Sequence, residues 1–149
     1  MTTAVHLAGA GDLDSLLALM ERFHDEAALP HDDTHRRRAA EPLLNGSPHG
    51  AVWLIGPQRA PLGYVLISFG WSVALAGIEG FVHEIFIRPS VRGRGIGTEV
   101  LHAIAVSLTQ NGIKALHVRL DQADAPSARF CARVGFTLRA ETVLMTDVL

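Results

Sequence analysis

The sequence predicts a single domain of the α/β (α+β) class, residues 1–149, in which helices flank one central sheet. The chain has 149 residues, which suit one domain of ordinary size, and 48% of them are hydrophobic against 19% charged. This balance is typical of a globular chain with a buried core. Segments with strand patterns alternate with longer segments at helical spacing, without repeats, linkers or low-complexity stretches. The alternation favours α and β elements packed on a common sheet.

The first half of the chain predicts a strand, two helices and two further strands. Apolar residues in segment 11–27 recur every three or four positions, as they do on one face of a helix. The two later strands contain many β-branched and aromatic residues, and a proline-containing turn separates them. In chain order the predicted elements are a strand at 4–8, a helix at 11–27, a weaker helix at 32–46, and strands at 50–56 and 62–73.

The second half of the chain predicts strands that alternate with helices, followed by two closing strands. A long helix follows Gly97 and stops at Asn111-Gly112, and a shorter helix has Pro126 near its first turn. In chain order the predicted elements are a loop at 74–80, a strand at 81–88, the long helix, a strand at 114–120, a short helix at 125–135, and closing strands at 136–140 and 142–149.

Composition and charge limit the compartments and the partners that suit the protein. The formal net charge is −2, so no overall basic field would recruit nucleic acid. The single cysteine, Cys131, cannot form an internal disulfide, which fits a reducing compartment. The N-terminal segment lacks a basic stretch followed by an apolar run, and no apolar run reaches the roughly 18 residues that a membrane span needs. We expect a soluble, cytoplasmic protein whose partners are neither nucleic acid nor a membrane.

Residues 91–100, VRGRGIGTEV, combine three glycines and two arginines just before the long helix. Glycine costs about 1 kcal/mol relative to alanine in an ordered element, so three of them indicate a close approach to the backbone. The spacing fits neither the dinucleotide fingerprint nor the P-loop, but it fits R-x-x-G-x-G at Arg92, Gly95 and Gly97. Free N–H groups at a helix start favour a pyrophosphate, and arginines add charge-assisted bonds. An ordinary glycine-rich turn with solvated arginines is the alternative.

The flanking sequence resembles a known family. HEIFIRPSVRGRGIGTEVL, 83–101, resembles motif A of the GNAT superfamily, the acyl-CoA-dependent N-acyltransferases. DAPSARFCARVGF, 124–136, resembles the second landmark of that superfamily, a helix that ends in Gly-Phe. The strand pair within 52–72 is similar to the one that precedes motif A. The likeness extends over about residues 3–149, and the small-amine acetyltransferases are nearest in appearance.

The resemblance implies a mixed, mostly antiparallel sheet that splays open between strands 81–88 and 114–120 around acetyl-CoA, with about four flanking helices. In such enzymes the pantetheine arm pairs with the first of these strands, and the pyrophosphate lies on the glycine turn. No metal is expected. The implied coenzyme-binding residues are Ile85, Phe86, Ile87, Arg92, Gly93, Arg94, Gly95, Ile96, Gly97, Thr98, Asp124 and Ser127.

The chemistry requires a proton acceptor near this strand. A free alkylammonium has a pKa of about 10, and only the neutral amine attacks a thioester. Glu84 is the candidate general base, since the family often has an acid here. Strict alternation would place it on one face with Val82 and Phe86, in apolar surroundings that make a carboxylate more basic. His83 is the alternative base, because a β-bulge would re-aim either side chain. A purely structural carboxylate is the non-catalytic alternative.

Two further positions bear on the reaction. Cys131 stands where many family members have a tyrosine that protonates the departing thiolate. A thiol is a weaker hydrogen-bond donor, so a small buried residue is the favoured interpretation there. Trp71 is a candidate aromatic wall for the acceptor, and the acidic segment 21–33 would favour a cationic amine.

The resemblance therefore implies an N-acetyltransferase that moves an acetyl group from acetyl-CoA to a small-molecule primary amine in a ternary complex. The missing tyrosine keeps a second function open, a non-catalytic acyl-CoA-binding or sensing domain. A protein lysine or N-terminal acetyltransferase is the third alternative. The family also allows a homodimer.

Overall fold

A computed structural model describes residues 3–149 of the chain. Contacts group the chain into two compact units, one that ends at Arg119 and one that runs from Leu120 to Leu149. The strands are β1 (Val5–Leu7), β2 (Gly50–Ile55), β3 (Gly63–Ser72), β4 (Gly77–Ile87) and β5 (Ala115–Val118). The helices are α1 (Leu13–Glu26), α2 (Asp33–Leu44), α3 (Ile96–Gln110) and α4 (Ala125–Val134). The predicted α/β class is confirmed.

The five strands form one sheet in the order β1-β2-β3-β4-β5. The first four strands pair antiparallel, and β5 pairs parallel to β4, so the sheet is mixed and mostly antiparallel as predicted. Pairing between β4 and β5 begins at Glu79 with Ala115 and ends at Val82 with Val118, whereas β4 continues to Ile87. Within the described chain, residues 83–87 of β4 therefore have a strand partner on their β3 side alone. The sheet opens at the place predicted for it.

A β-bulge interrupts β4 at the start of this open stretch. Leu66 of β3 lies opposite Glu84, but the next residue, Ile67, lies opposite Val82. His83 is thus an extra residue in β4 without a partner in the register. Directly opposed residues share a face, and Leu66 and Ile67 point to opposite faces. The prediction that Glu84 shares a face with both Val82 and Phe86 is therefore wrong for Val82, because the bulge inverts the alternation between them. It holds for Phe86, whose partner Tyr64 lies two positions from Leu66 on β3.

The core of the first unit lies between one face of the sheet and the two N-terminal helices. α1 contributes residues at helical spacing, and β2, β3 and β4 contribute alternate residues. Tyr64 is fully buried in this core. The cluster consists of Ala8, Leu16, Leu19, Met20, Ala40, Leu44, Val52, Leu54, Tyr64, Leu66 and Phe86. α3 buries a separate stripe formed by Val100, Leu101, Ile104 and Leu108.

Two segments differ from the prediction. β4 begins at Gly77, opposite Ser72 of β3, so the second half of the predicted loop 74–80 is strand. Residues 136–149 contain no strand, although strands were predicted at 136–140 and 142–149. Apart from half-buried Phe136, their large apolar side chains are exposed, including Leu138 at 87% and Met145 at 90%. A strand needs a hydrogen-bonded neighbour as well as an alternating sequence, and these residues join no ladder.

Between Thr3 and Leu149, no helix is both long enough and apolar enough to cross a membrane.

Candidate functional site

Two side chains from other elements hold the carboxylate of Glu84. The hydroxyl of Tyr64, on β3, donates a hydrogen bond to Oε1 at 2.7 Å. Nε2 of His24, near the end of α1, lies 2.8 Å from Oε2. Tyr64 is 0% and His24 1% exposed, whereas the Glu84 side chain keeps 17% of its surface accessible. Buried donors therefore hold the carboxylate, while part of the Glu84 side chain stays accessible. This combination suits a group that contacts a substrate.

The local sequence explains why Tyr64 and His24 lie beside Glu84. Leu16 and Met20 belong to the buried face of α1, and His24 extends that stripe by one more turn. Tyr64 lies opposite Phe86 in the antiparallel ladder, two residues from Leu66, the partner of Glu84. Burial first, and then the negative charge of Glu84, raise the pKa of Tyr64 well above its ordinary value of 10.0. Tyr64 is therefore a protonated phenol donor at neutral pH.

Sequence reasoning missed both donors. The place of His24 on an apolar helical stripe was the available signal, because a buried histidine needs a partner for its ring nitrogens. The partner lies 60 positions further along the chain, however, and no local pattern connects the two.

His83, the alternative base, lies apart from this group. Its side chain is exposed, and its Nε2 lies 2.6 Å from the hydroxyl of Ser68 on β3. It is the extra residue of the bulge, so it has no partner in the register of β3 and β4. Of the two candidate bases, only Glu84 is held by buried donors.

The glycine turn has the backbone geometry of an anion site. Gly93 and Gly95 adopt φ values of +78° and +76°, a left-handed conformation that side chains disfavour. Gly95 is the N-cap of α3, and the N–H of Glu99 is the first to bond back, to the Gly95 carbonyl at 3.1 Å. The N–H groups of residues 96–98 precede it and have no carbonyl acceptor within the helix. Together with the helix dipole they fit the diphosphate of coenzyme A.

At Gly93 and Gly95 the conformation, rather than packing, requires glycine. A Cβ added at either residue would meet no protein atom within 4 Å. The sequence prediction explained these glycines by a close approach of the ligand, and the structure adds the positive φ as their direct physical reason.

Arg92 is less available to an anion than predicted. Its two terminal guanidinium nitrogens bind both carboxylate oxygens of Glu26, at 2.7 and 2.8 Å, and its Nε donates to the Ile87 carbonyl at 2.7 Å. The guanidinium also lies 5.4 Å from the centroid of the Phe86 ring. The hydrogen bond from Arg92 lowers the pKa of Glu26. Arg92 thus links the end of α1 to the turn, whereas Arg94 is exposed.

The predicted pantetheine strand is the open part of β4. Ile85 pairs with Val65 of β3 on one side, and β5 has already ended at Val118 on the other. Phe86 is 2% exposed and belongs to the core, so only its backbone could meet a ligand. Backbone groups along this edge are suited to a ligand that hydrogen bonds as an added strand would.

Asp124, Ser127 and Cys131 lie together on α4 in the second unit. The carboxylate of Asp124 accepts a hydrogen bond from the Ser127 N–H at 3.1 Å and caps the helix. Hydrogen bonds from Ser127 lower the pKa of Asp124. Burial, and then the charge of Asp124, raise the pKa of the Cys131 thiol. Coenzyme binding by Asp124 and Ser127 stays a prediction.

Trp71 lies away from Glu84. It pairs with Ile78 and lies five positions along β3 from Leu66, the partner of Glu84, which is roughly 17 Å at about 3.3 Å per residue. It also points to the face opposite that of Leu66, since an odd number of positions separates the two on β3. This placement argues against Trp71 as a wall for an acceptor that reacts at Glu84.

Comparison with known proteins agrees with this geometry. The model of the acetyltransferase (GNAT) family matches residues 13–136. An L-methionine sulfoximine/L-methionine sulfone acetyltransferase from Pseudomonas aeruginosa is 24% identical over 155 residues, which cover 95% of this chain and 84% of that protein. An integron cassette protein from the mobile metagenome of Cole Harbour Salt Marsh is similar at 29% identity and a TM-score of 0.85, over 97% of this chain and 90% of that one.

A third similar structure is AAC(6')-Iy, solved in complex with the bisubstrate analogue CoA-S-monomethyl-acetylneamine. It has a TM-score of 0.82 at 16% identity, over 100% of both chains, and it shares the fold. A family model that extends over residues 13–136 decides the assignment. This chain belongs to the GNAT acetyltransferase family and is an acyl-CoA-dependent N-acetyltransferase.

Proposed function

We propose that the protein transfers an acetyl group from acetyl-CoA to the primary amine of a small molecule, by direct attack in a ternary complex. The observation that carries the proposal is the carboxylate of Glu84, held at both oxygens by Tyr64 and His24 beside the open stretch of β4. Each oxygen of an ionised carboxylate can accept a second hydrogen bond, so Glu84 can still accept one from an amine or from a water.

In the proposed reaction the amine nitrogen bonds to the thioester carbon while its proton passes to Glu84, directly or through one water. The carbon–sulfur bond breaks, and the sulfur leaves as a thiolate that takes a proton from solvent. Backbone N–H groups of residues 83–87 would stabilise the oxyanion, and those of residues 96–98 would hold the diphosphate. Cys131 has no part in this proposal, because the raised pKa of its buried thiol makes it a poor acid.

A small-molecule acceptor is supported by the relatives. The similar Pseudomonas aeruginosa protein is named for two amino-acid analogues, and AAC(6')-Iy was solved with an acetylneamine derivative of CoA. Exposed carboxylates at Glu21, Asp25 and Asp32, around the connection between α1 and α2, would attract a cationic amine. As part of the same proposal the enzyme is cytoplasmic, which the single cysteine supports, and homodimerisation stays a prediction.

The test is a panel of polyamines, amino acids and their analogues, aminoglycosides and short peptides, assayed with acetyl-CoA for thiol release. Glu84→Gln should keep the affinity for acetyl-CoA and lower kcat about 100-fold or more at neutral pH, the range of a lost general base. The loss should shrink towards pH 10, where about half of the free amine is already neutral.

Glu79→Gln is the matched control. Glu79 lies on the same strand, its side chain has the same 17% exposure, and its Oε1 lies 3.0 Å from a histidine nitrogen, that of His117. It should retain activity. Equal losses in the two variants, or a Glu84→Gln variant with wild-type kcat across the pH range, would remove Glu84 from the mechanism. Release with peptides alone would redirect the proposal to protein acetylation.

A further inference from the structure

We propose that His24 is a positioning residue for proton transfer at Glu84. Its Nε2–H holds the carboxylate in the orientation in which Glu84 can accept a proton from the amine. This inference rests on the proposed role of Glu84 as general base. His24 itself is too deeply buried to touch a substrate, at 1% exposure.

The direction of the hydrogen bond follows from the chemistry of the acceptor. An ionised carboxylate only accepts, so the Nε2 atom 2.8 Å from Oε2 of Glu84 must carry the hydrogen. The Tyr64 hydroxyl holds the other oxygen at 2.7 Å. Two donors on different elements, one on each oxygen, prevent the carboxylate from rotating. A free glutamate would lose this orientation to side-chain motion.

The other ring nitrogen, Nδ1, is buried without a hydrogen-bond partner in the described protein. Glu84 is therefore the one hydrogen-bond partner of the His24 ring among the described residues, so this contact orients both side chains.

Two further histidines lie beside His24. The ring of His31 lies 5.1 Å from that of His24 in an edge-on arrangement, and it stacks on exposed His35 at 4.1 Å and 9°. Nearby, Arg36 donates to the His31 carbonyl at 2.6 Å. The ring of His24 is therefore held by packing as well as by its hydrogen bond to Glu84.

Three variants separate this role from a structural one. His24→Gln keeps an N–H donor of similar reach, so kcat at pH 8 should stay within about three-fold of wild type. His24→Phe keeps the ring shape without the donor and should lower kcat about 10- to 100-fold, with the KM for acetyl-CoA nearly unchanged. His49→Gln, at an exposed loop residue, is the control and should match wild type.

An unchanged kcat in His24→Phe would overturn the proposal. So would equal losses in the glutamine and phenylalanine variants, since that result would indicate that the hydrogen bond to Glu84 has no part in catalysis.

A measurement that does not depend on catalysis distinguishes a failure of this inference from a failure of the proposed function. Nitrogen-15 spectra of the imidazoles at neutral pH should show His24 as the Nε2–H tautomer, with a shift that moves in Glu84→Gln. An Nδ1–H tautomer, or a shift unaffected by Glu84→Gln, would overturn the inference whether or not any amine is acetylated. If the tautomer is as expected and no amine releases thiol, the proposed function fails instead.

Discussion

The burial of Tyr64 predicts that alkaline pH destabilises this protein through one phenol. Tyr64 is the single tyrosine in the chain, it is 0% exposed, and its hydroxyl lies 2.7 Å from Oε1 of Glu84. A phenolate there would be buried beside a carboxylate. Burial, and then the charge of Glu84, accordingly raise the pKa of Tyr64 in the folded protein above its ordinary value of 10.0.

The sign and size follow from proton linkage. The folded state holds the proton more tightly than the unfolded state, so the stabilisation is complete below about pH 10 and declines as the pH rises. Each pH unit above that value should remove about 1.36 kcal/mol from the free energy of unfolding. At pH 12 the accumulated loss is about 2.7 kcal/mol, a large part of the stability of a domain of this size.

Absorbance at 295 nm reports tyrosinate, and circular dichroism reports the fold in the same titration. Tyrosinate should appear only together with unfolding, above pH 10. Tyr64→Phe keeps the ring packing, and its free energy of unfolding should decline less steeply above pH 10. Other groups that titrate at alkaline pH, such as the Cys131 thiol, remain in this variant. Reversible tyrosinate formation near pH 10 in a protein that is still folded would refute the reasoning.

Three further predictions concern the turn and α4. Gly95→Ala places a side chain at φ +76°. It should lower the free energy of unfolding by about 1–2 kcal/mol and weaken acetyl-CoA binding. Gly70→Ala, where a Cβ meets nothing within 4 Å, should do neither. Glu26→Gln frees Arg92 and should tighten acetyl-CoA binding in calorimetry, by at most about five-fold, since exposed ion pairs contribute up to about 1 kcal/mol; weaker binding would contradict this. The raised pKa of the buried Cys131 thiol predicts that iodoacetamide at pH 8 modifies it far more slowly than free cysteine, and equal rates would show it accessible.

The sequence predicted the elements whose cause is local. The long helix begins after Gly95 and ends at Asn111, because a left-handed glycine and a capping residue mark its ends. The alternating strands β2 and β3 follow equally from their residues. The anion-binding turn was predictable for the same reason, since its glycines and its helix start lie within ten residues.

Long-range features escaped prediction. The bulge at His83 depends on how β3 aligns with β4, and this register puts Glu84 and Val82 on opposite faces of the sheet. The contacts from His24 to Glu84 and from Arg92 to Glu26 join residues 60 and 66 positions apart. The two closing strands predicted at 136–140 and 142–149 do not form, because an alternating sequence does not by itself provide a neighbouring strand to pair with.

The central claim is that backbone N–H groups at the start of α3 hold the diphosphate of acetyl-CoA. The most direct test is a titration of nitrogen-15-labelled protein with acetyl-CoA, followed at the backbone amides of Ile96, Gly97 and Thr98. We predict saturable downfield shifts of these amide protons, which inorganic pyrophosphate also produces in part and S-acetylpantetheine does not. Amide protons that stay unmoved at millimolar acetyl-CoA, or that move equally with S-acetylpantetheine, would contradict the claim.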